Sequence, residues 1–64
     1  SMANLIASLG EPDNEIFFRY YYYEERISQI SMAMGMSVSA VKTRLSRGRK
    51  KLREIILKGG TANE

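Results

Sequence analysis

The stretch of sequence that decides the fold comprises residues 35–52 and reads GMSVSAVKTRLSRGRKKL. Apolar or small side chains recur in it at steps of three and four, and the pattern continues for one more turn. The series is Val38, Val41, Leu45, Gly48, Leu52 and Ile56. Such spacing places all six side chains in one narrow arc of a helix that faces a core. Because Ser37 is a good N-cap and Gly59 with Gly60 would end the helix, we predict a helix from about 37 to 57.

Three shorter helices are predicted to precede this one, at about 3–9, 12–23 and 26–34. Pro12 suits the first position of a helix, where its missing N–H is not needed. Gly35 favours the left-handed backbone conformation that ends many helices. The chain therefore reads as a series of helices separated by short turns.

The last two helices have the arrangement of a helix-turn-helix, in which a short turn containing glycine joins two helices. One stripe of the first of them is predicted to be buried: Ile27, Ile30 and Met34. Ser31 lies beside that stripe and is small enough to let the two helices approach closely. Gly48 costs about 1 kcal/mol relative to alanine in a helix interior, so its place on the arc predicts another helix packed closely against it. We predict a small all-α domain of three to four helices over residues 2–60, followed by a disordered tail at 61–64.

The side of the last helix opposite the apolar arc, here called the outward face, combines short hydroxyl groups with cations. Its residues are Ser39, Thr43, Ser46, Arg47 and Lys50. Other cations flank it, with Lys42, Arg49 and Arg53 on one side and Arg44 and Lys51 on the other. The short hydroxyl side chains leave room for Arg47 to donate two hydrogen bonds to a guanine edge, and the flanking cations would lie near phosphates. Because any single cation is about as often merely solvated, the prediction depends on the face as a whole.

The positive charge of the chain is concentrated in this same helix. The net charge is +3, yet residues 1–41 carry two basic and five acidic side chains, whereas residues 42–58 carry eight basic side chains and one acidic one, Glu54. Such concentration is typical of a protein that binds a polyanion, although a solvated helix face can have the same composition. Together with the outward face, it predicts DNA binding.

The composition also excludes several classes of function. The chain has no cysteine and no histidine, which excludes disulfides and thiolate or imidazole metal sites. With no base to activate a nucleophile, we predict no enzymatic activity, no catalytic residue, no metal and no cofactor. No apolar run could span a membrane and no signal peptide is recognisable, so a cytoplasmic protein is expected. Ser1 precedes Met2 and is interpreted as a remnant of expression cloning, which is consistent with a fragment of a longer protein.

Aromatic side chains crowd the second predicted helix. They are Phe17, Phe18, Tyr20, Tyr21, Tyr22 and Tyr23. Ile16, Tyr20 and Tyr23 share one face, which we predict to belong to the core. Phe18 and Tyr22 project to the other side, and a helix that is apolar nearly all round in so small a domain favours a partner surface there. The alternative is that the first helix folds over these rings.

Two stretches of the chain resemble a known family. Residues 12–21 read PDNEIFFRYY and residues 35–54 read GMSVSAVKTRLSRGRKKLRE. They are similar to the C-terminal domain, region four, of bacterial RNA polymerase sigma factors, and most of all to the extracytoplasmic-function group. The resemblance covers about residues 5–57. Arg26 departs from it, since the family usually has serine or threonine as the cap of the third helix, and Ser31 replaces the family's alanine.

The resemblance implies recognition of the −35 promoter element by an alternative sigma factor, as part of the RNA polymerase holoenzyme. It implies base-edge contacts from Lys42, Thr43, Ser46 and Arg47. It implies phosphate contacts from Ser39, Arg44, Arg49 and Lys50. It also implies that Phe18 and Tyr22 dock on the flap of the polymerase β subunit, and that an anti-sigma factor is a second partner. Since sigma factors need a further domain to read the −10 element, the resemblance again points to a fragment.

Two other functions fit the same residues. The output domain of a response-regulator-type transcription factor has similar hydrophobic spacing, although such domains commonly carry histidine where this chain has Arg44. An interaction module that binds polymerase or an anti-sigma factor without touching DNA is the second alternative. A membrane-surface helix at 38–57 is a weaker option, because its apolar arc is narrow and lacks aromatic residues. A pure protein binder would show no affinity for DNA, whereas a DNA binder would show affinity that falls with salt.

Overall fold

The computed structural model describes residues 1–59, which form four α-helices and no strand. The helices are α1 (Met2–Ala7), α2 (Asp13–Phe17), α3 (Ile27–Met34) and α4 (Val38–Leu57), and α2 continues directly into a π-helical turn, Phe18–Tyr22, here called the π segment. The predicted all-α class with a helix-turn-helix is confirmed. The predictions made for Gly60 and for a disordered tail at 61–64 lie outside the described residues. Within that part of the chain, no helix is both long enough and apolar enough to cross a membrane.

Local hydrogen bonds explain where the helices begin and end. Ser37 caps α4 as predicted, because its Oγ accepts a hydrogen bond from the Ala40 N–H at 3.0 Å. Gly35 ends α3 with φ of 65°, the predicted left-handed conformation. At the start of α3, the arginine at position 26 has no acceptor on its side chain to serve as a cap. The Gln29 side chain instead accepts a hydrogen bond from the Arg26 backbone N–H at 2.7 Å, which secures that helix start.

The first helix begins one residue earlier and ends two residues earlier than predicted. Ser1 caps α1, since its Oγ accepts a hydrogen bond from the Asn4 N–H at 3.3 Å. A residue interpreted as a cloning remnant therefore contributes to the local structure. At the other end, the Leu9 N–H bonds to the Ile6 carbonyl at 3.1 Å, three residues back, and tightens the chain out of the α-helix.

The core is a single cluster to which all four α-helices contribute. Its buried side chains are Leu5, Ile6, Ile16, Phe17, Ile30, Val41, Leu45 and Leu52. The predicted stripe of α3 is confirmed, with Ile30 fully buried and Ile27 and Met34 packed half-buried against the cluster. Ser31, beside that stripe, donates a hydrogen bond from its hydroxyl to the Met36 carbonyl at 2.7 Å and so braces the turn.

The apolar arc of α4 is confirmed in its middle and wrong at its two ends. Val41, Leu45, Gly48 and Leu52 are buried, as predicted. Val38 is 41% exposed and Ile56 is 46% exposed. The reason is length: α4 has 20 residues and is about 30 Å long, whereas α1, α2 and α3 are each of eight residues or fewer and cannot cover it from end to end.

Gly48 lies directly under the ring of Phe17. A Cβ atom at position 48 would come within 2.5 Å of Phe17 Cζ, closer than any real side chain permits. The prediction of a helix packed closely against Gly48 is therefore confirmed, and that helix is α2. Phe17 is 1% exposed, so the contact fixes where α2 crosses α4.

The aromatic cluster is arranged differently from the prediction. Ile16 is buried as expected, but Tyr23 is 71% exposed and Tyr20 is half-buried, so the core aromatic of this helix is Phe17. One cause is the π segment, in which the Tyr23 N–H bonds to the Phe18 carbonyl five residues back at 3.1 Å. This wider turn shifts the last residues away from the positions that α-helical spacing predicts.

The alternative prediction for these rings was that the first helix folds over them, and it is confirmed in part. Leu5 and Ile6 of α1 are buried in the same cluster as Ile16 and Phe17, so α1 does fold over this helix. Phe18 is half-buried against the core rather than exposed as predicted. Tyr22 is 51% exposed, as predicted.

Candidate nucleic-acid interface

The outward face of α4 is open along its whole length. Ser39, Thr43, Ser46, Arg47 and Lys50 are all exposed, as is the neighbouring Lys42. In residues 1–59, no hydrogen bond or ion pair joins the side chains of these six residues to the rest of the chain. The fold thus buries one side of a long basic helix and leaves the other side accessible to a large ligand.

The residues predicted to read bases lie close together on this face. Lys42, Thr43, Ser46 and Arg47 occupy positions in the N-terminal half of α4. In helix-turn-helix proteins that half of the recognition helix reaches base edges in the major groove. The arrangement brings one guanidinium, one ammonium and two hydroxyl groups onto one and a half helical turns, which suits contact with a few adjacent base pairs.

The first flank of α4, the side that bears Arg44, has an internal partner that was not predicted from the sequence. Arg44 Nη1 donates a hydrogen bond to Asp13 Oδ1 at 3.0 Å and forms an ion pair with it. Asp13 is the first residue of α2, where a carboxylate also complements the positive end of the helix dipole. Both side chains are partly exposed, so this is a surface ion pair that solvent and other anions can reach.

The second flank, the side that bears Arg49, is held by a neutral group. Arg49 Nη1 donates a hydrogen bond to the Tyr21 hydroxyl at 3.1 Å. Tyr21 had no assigned role from the sequence. The signal that could have revealed it is the spacing of Asp13, Phe17 and Tyr21, four residues apart and hence on one side of a helix. Phe17 lies on Gly48, and its two neighbours on that side reach over to Arg44 and Arg49.

Two acidic residues of the N-terminal half, Glu15 and Glu25, are paired away from α4. Arg19 donates hydrogen bonds to Glu15 at 2.9 Å and to Glu25 at 3.2 Å. These bonds, first that to Glu15 and then that to Glu25, raise the pKa of Arg19 above its ordinary value, because they favour the charged guanidinium. The negative charges of Glu15 and Glu25 are therefore neutralised locally by Arg19, and they do not reduce the positive charge of the α4 surface.

An apolar groove of about 420 Å³ runs beside the C-terminal half of α4. Its walls come from α1, from α2 with the π segment, and from α4: Met2, Ile6, Phe17, Tyr21, Tyr22, Leu52, Ile56 and Leu57. Arg49 and Arg53 also line it. Of the two aromatic residues predicted to meet a partner, Tyr22 lines this groove, whereas Phe18 does not and contacts the Tyr22 ring with centroids 5.3 Å apart.

Comparison with known families identifies the domain. A family described as "Sigma-70, region 4" matches residues 1–52, which include α1, α2, α3 and α4 as far as its last buried residue, Leu52. Searches of curated proteins and of solved structures each returned no significant match. The family comprises DNA-binding domains of transcription initiation and is not a catalytic family. With most of the chain matched and the basic face of its helix-turn-helix exposed, the protein belongs to the sigma-70 region 4 family, the DNA-binding domains of sigma factors.

Proposed function

We propose that this domain recognises the −35 promoter element by inserting the N-terminal half of α4 into the major groove. One observation carries the proposal: the outward face is exposed and has no internal partner in residues 1–59, while the opposite face of the same helix is buried in the core. A helix held on one side and open on the other can enter a groove without any rearrangement of the fold. The domain would act as the C-terminal part of an alternative sigma factor of the extracytoplasmic-function group.

The proposed roles divide the cations and hydroxyl groups into two sets. Lys42, Thr43, Ser46 and Arg47 contact base edges, and Ser39, Arg44, Arg49 and Lys50 contact phosphates. Arg47 is the sharpest assignment, because an exposed arginine on the outward face can donate two hydrogen bonds to guanine O6 and N7. Arg44 is the weakest, because a phosphate would have to share or displace Asp13.

Two protein partners extend the proposal. The flap of the polymerase β subunit would dock at the apolar groove through Tyr22, since exposed apolar grooves of this kind mark protein-binding surfaces. An anti-sigma factor that covered this groove or the outward face would hold the domain inactive. Both interactions would take place in the cytoplasm, where promoter DNA and polymerase are found.

The test of this function compares two cations of α4. A binding site is first selected from random DNA duplexes with the full 64-residue chain. Arg47→Ala should then lose about 1–3 kcal/mol of discrimination at one base pair, while Lys50→Ala should weaken binding to selected and scrambled duplexes about equally. Affinities measured by fluorescence anisotropy at one fixed salt concentration check both expectations.

A matched control is Arg26→Ala, which removes an exposed arginine that lies outside α4 and should leave both affinities unchanged. Equal losses on selected and scrambled DNA for both α4 variants would refute the division between base and phosphate contacts. If the parent chain selects no sequence and binds no duplex, the interaction module without DNA contact becomes the better description.

A further inference from the structure

We propose that Tyr21, which lies outside the helix-turn-helix, is a positioning residue that holds Arg49 where it contacts a DNA phosphate. The inference rests on the proposed function, since it concerns how the same surface is prepared for DNA. The observation that supports it directly is the hydrogen bond of 3.1 Å that Arg49 Nη1 donates to the Tyr21 hydroxyl. This bond joins two residues 28 positions apart in the chain.

The hydroxyl group of Tyr21 has a defined position because its ring is packed on two sides. The ring stacks on Phe17, with centroids 5.6 Å apart, and meets the edge of Tyr20 with centroids 4.9 Å apart. Phe17 is itself immobilised in the core against Gly48. Although Tyr21 is 47% exposed, the chain of contacts Tyr21–Phe17–Gly48 links its ring to the backbone of α4 next to Arg49.

The π segment contributes to this placement. In an α-helix four residues overshoot one full turn by about 40°, so Tyr21 would rotate away from the line that joins Asp13 and Phe17. The wider turn closed by the bond from the Tyr23 N–H to the Phe18 carbonyl reduces that overshoot. Tyr21 therefore stays above the flank of α4, and π turns within α-helices are frequent at functional sites.

The chemistry of a neutral hydroxyl suits this task better than a carboxylate would. An arginine side chain has five N–H donors, and the tyrosine uses one of them. The other donors and the full positive charge of Arg49 remain for a phosphate. Ordering a long side chain on binding costs roughly 0.5–1.5 kcal/mol in conformational entropy. If an internal hydrogen bond already orders the side chain in the free protein and persists in the complex, binding to DNA no longer includes that cost.

The test uses Tyr21→Phe, which removes the hydroxyl and keeps the ring in its stack. The full 64-residue chain is titrated into a random-sequence duplex of ~20 base pairs, because phosphate contacts do not depend on sequence. Binding should weaken roughly two- to ten-fold, the equivalent of ordering one arginine side chain. The matched control is Tyr23→Phe, which removes the hydroxyl of a nearby exposed tyrosine and should leave the affinity for DNA unchanged.

A second measurement separates positioning from a purely structural effect. Arg49→Ala should reduce the slope of log affinity against log salt by about 0.9, the value for one phosphate contact. In the Arg49→Ala background, Tyr21→Phe should cause no further loss. If Tyr21→Phe leaves binding unchanged or tightens it, if Tyr23→Phe weakens binding as much, or if the loss persists without Arg49, the inference is overturned.

These outcomes can be told apart from a failure of the proposed function. If Lys50→Ala still weakens binding to all duplexes and Arg49→Ala still reduces the salt slope, while Tyr21→Phe behaves like the parent, the inference alone fails. If the parent chain has no measurable affinity for the duplex, both proposals fail together.

Discussion

On one flank of α4 Arg44 is paired with the carboxylate of Asp13 at 3.0 Å, and on the other Arg49 is bound to the hydroxyl of Tyr21 at 3.1 Å. Both partners come from α2 and the π segment, four residues to either side of Phe17. The carboxylate offsets the charge of its arginine, whereas the hydroxyl leaves the charge intact. The position of a cation on a helix therefore does not by itself determine how available it is to DNA, because the partner beneath it also matters.

The difference between the two flanks is modest in energy. An exposed ion pair such as Asp13–Arg44 is worth about 0–1 kcal/mol, so a phosphate can compete with the carboxylate at a cost of up to about five-fold in affinity. Arg44 is therefore disfavoured as a DNA contact without being removed from the surface. Arg49 carries no such penalty, and the crossing helix thus makes the two flanks unequal.

Phe17→Ala should have the largest effect, because it removes the contact from which both flank pairs extend. Truncating a buried phenylalanine costs about 3–5 kcal/mol, a large part of the stability of so small a domain. We expect the melting temperature measured by circular dichroism to fall steeply or the cooperative transition to disappear. Tyr23→Ala is the control, since Tyr23 is exposed and its truncation should change stability by no more than about 0.5 kcal/mol. Similar melting curves for both variants would contradict a fold centred on Phe17.

Gly48→Ala should have a smaller effect and probe the same crossing from the other side. The new methyl group would press into the Phe17 ring, and overpacking of a core costs about 1–3 kcal/mol. Replacing a helical glycine by alanine returns about 1 kcal/mol, so the net change should be a loss of up to about 2 kcal/mol. Chemical denaturation with urea measures it. A gain close to the full helix-propensity benefit would mean that Phe17 can move aside and that the crossing is not fixed.

Much of the fold could be predicted from the sequence because it depends on local periodicity. The stripe of Ile27, Ile30 and Met34, the cap at Ser37 and the left-handed turn at Gly35 each follow from residues within a few positions of one another. The same periodicity wrongly predicted that Val38 and Ile56 are buried, since a periodic pattern does not reveal how far the neighbouring helices reach.

The aromatic helix and the flank pairs could not be predicted in this way. A helix that is apolar nearly all round has no periodic signal to choose its buried face, which is why Tyr23 was expected in the core and Phe17 was not. The pairs of Arg44 and Arg49 join residues 31 and 28 positions apart. They depend on how α2 packs across α4, and the contact between Phe17 and Gly48 shows where the two helices meet. The outward face could be predicted because helical spacing alone determines which residues lie on it. The contacts assigned to those residues stay predictions.

Asp13→Asn should have the smallest effect and the opposite sign, because it makes the Arg44 flank resemble the Arg49 flank. Asparagine keeps the size of the side chain and an acceptor oxygen at the start of α2, but it no longer offsets the charge of Arg44. Binding to a random-sequence duplex should tighten by up to about five-fold, and the salt slope should steepen by as much as about 0.9 if Arg44 gains a phosphate contact. In an Arg44→Ala background, Asp13→Asn should bring no gain, since position 13 then has no arginine to restrain. A gain of equal size without Arg44 would mean that Asp13 acts on DNA only through its own negative charge, and the two flanks would then differ in net charge but not in how their arginines are held.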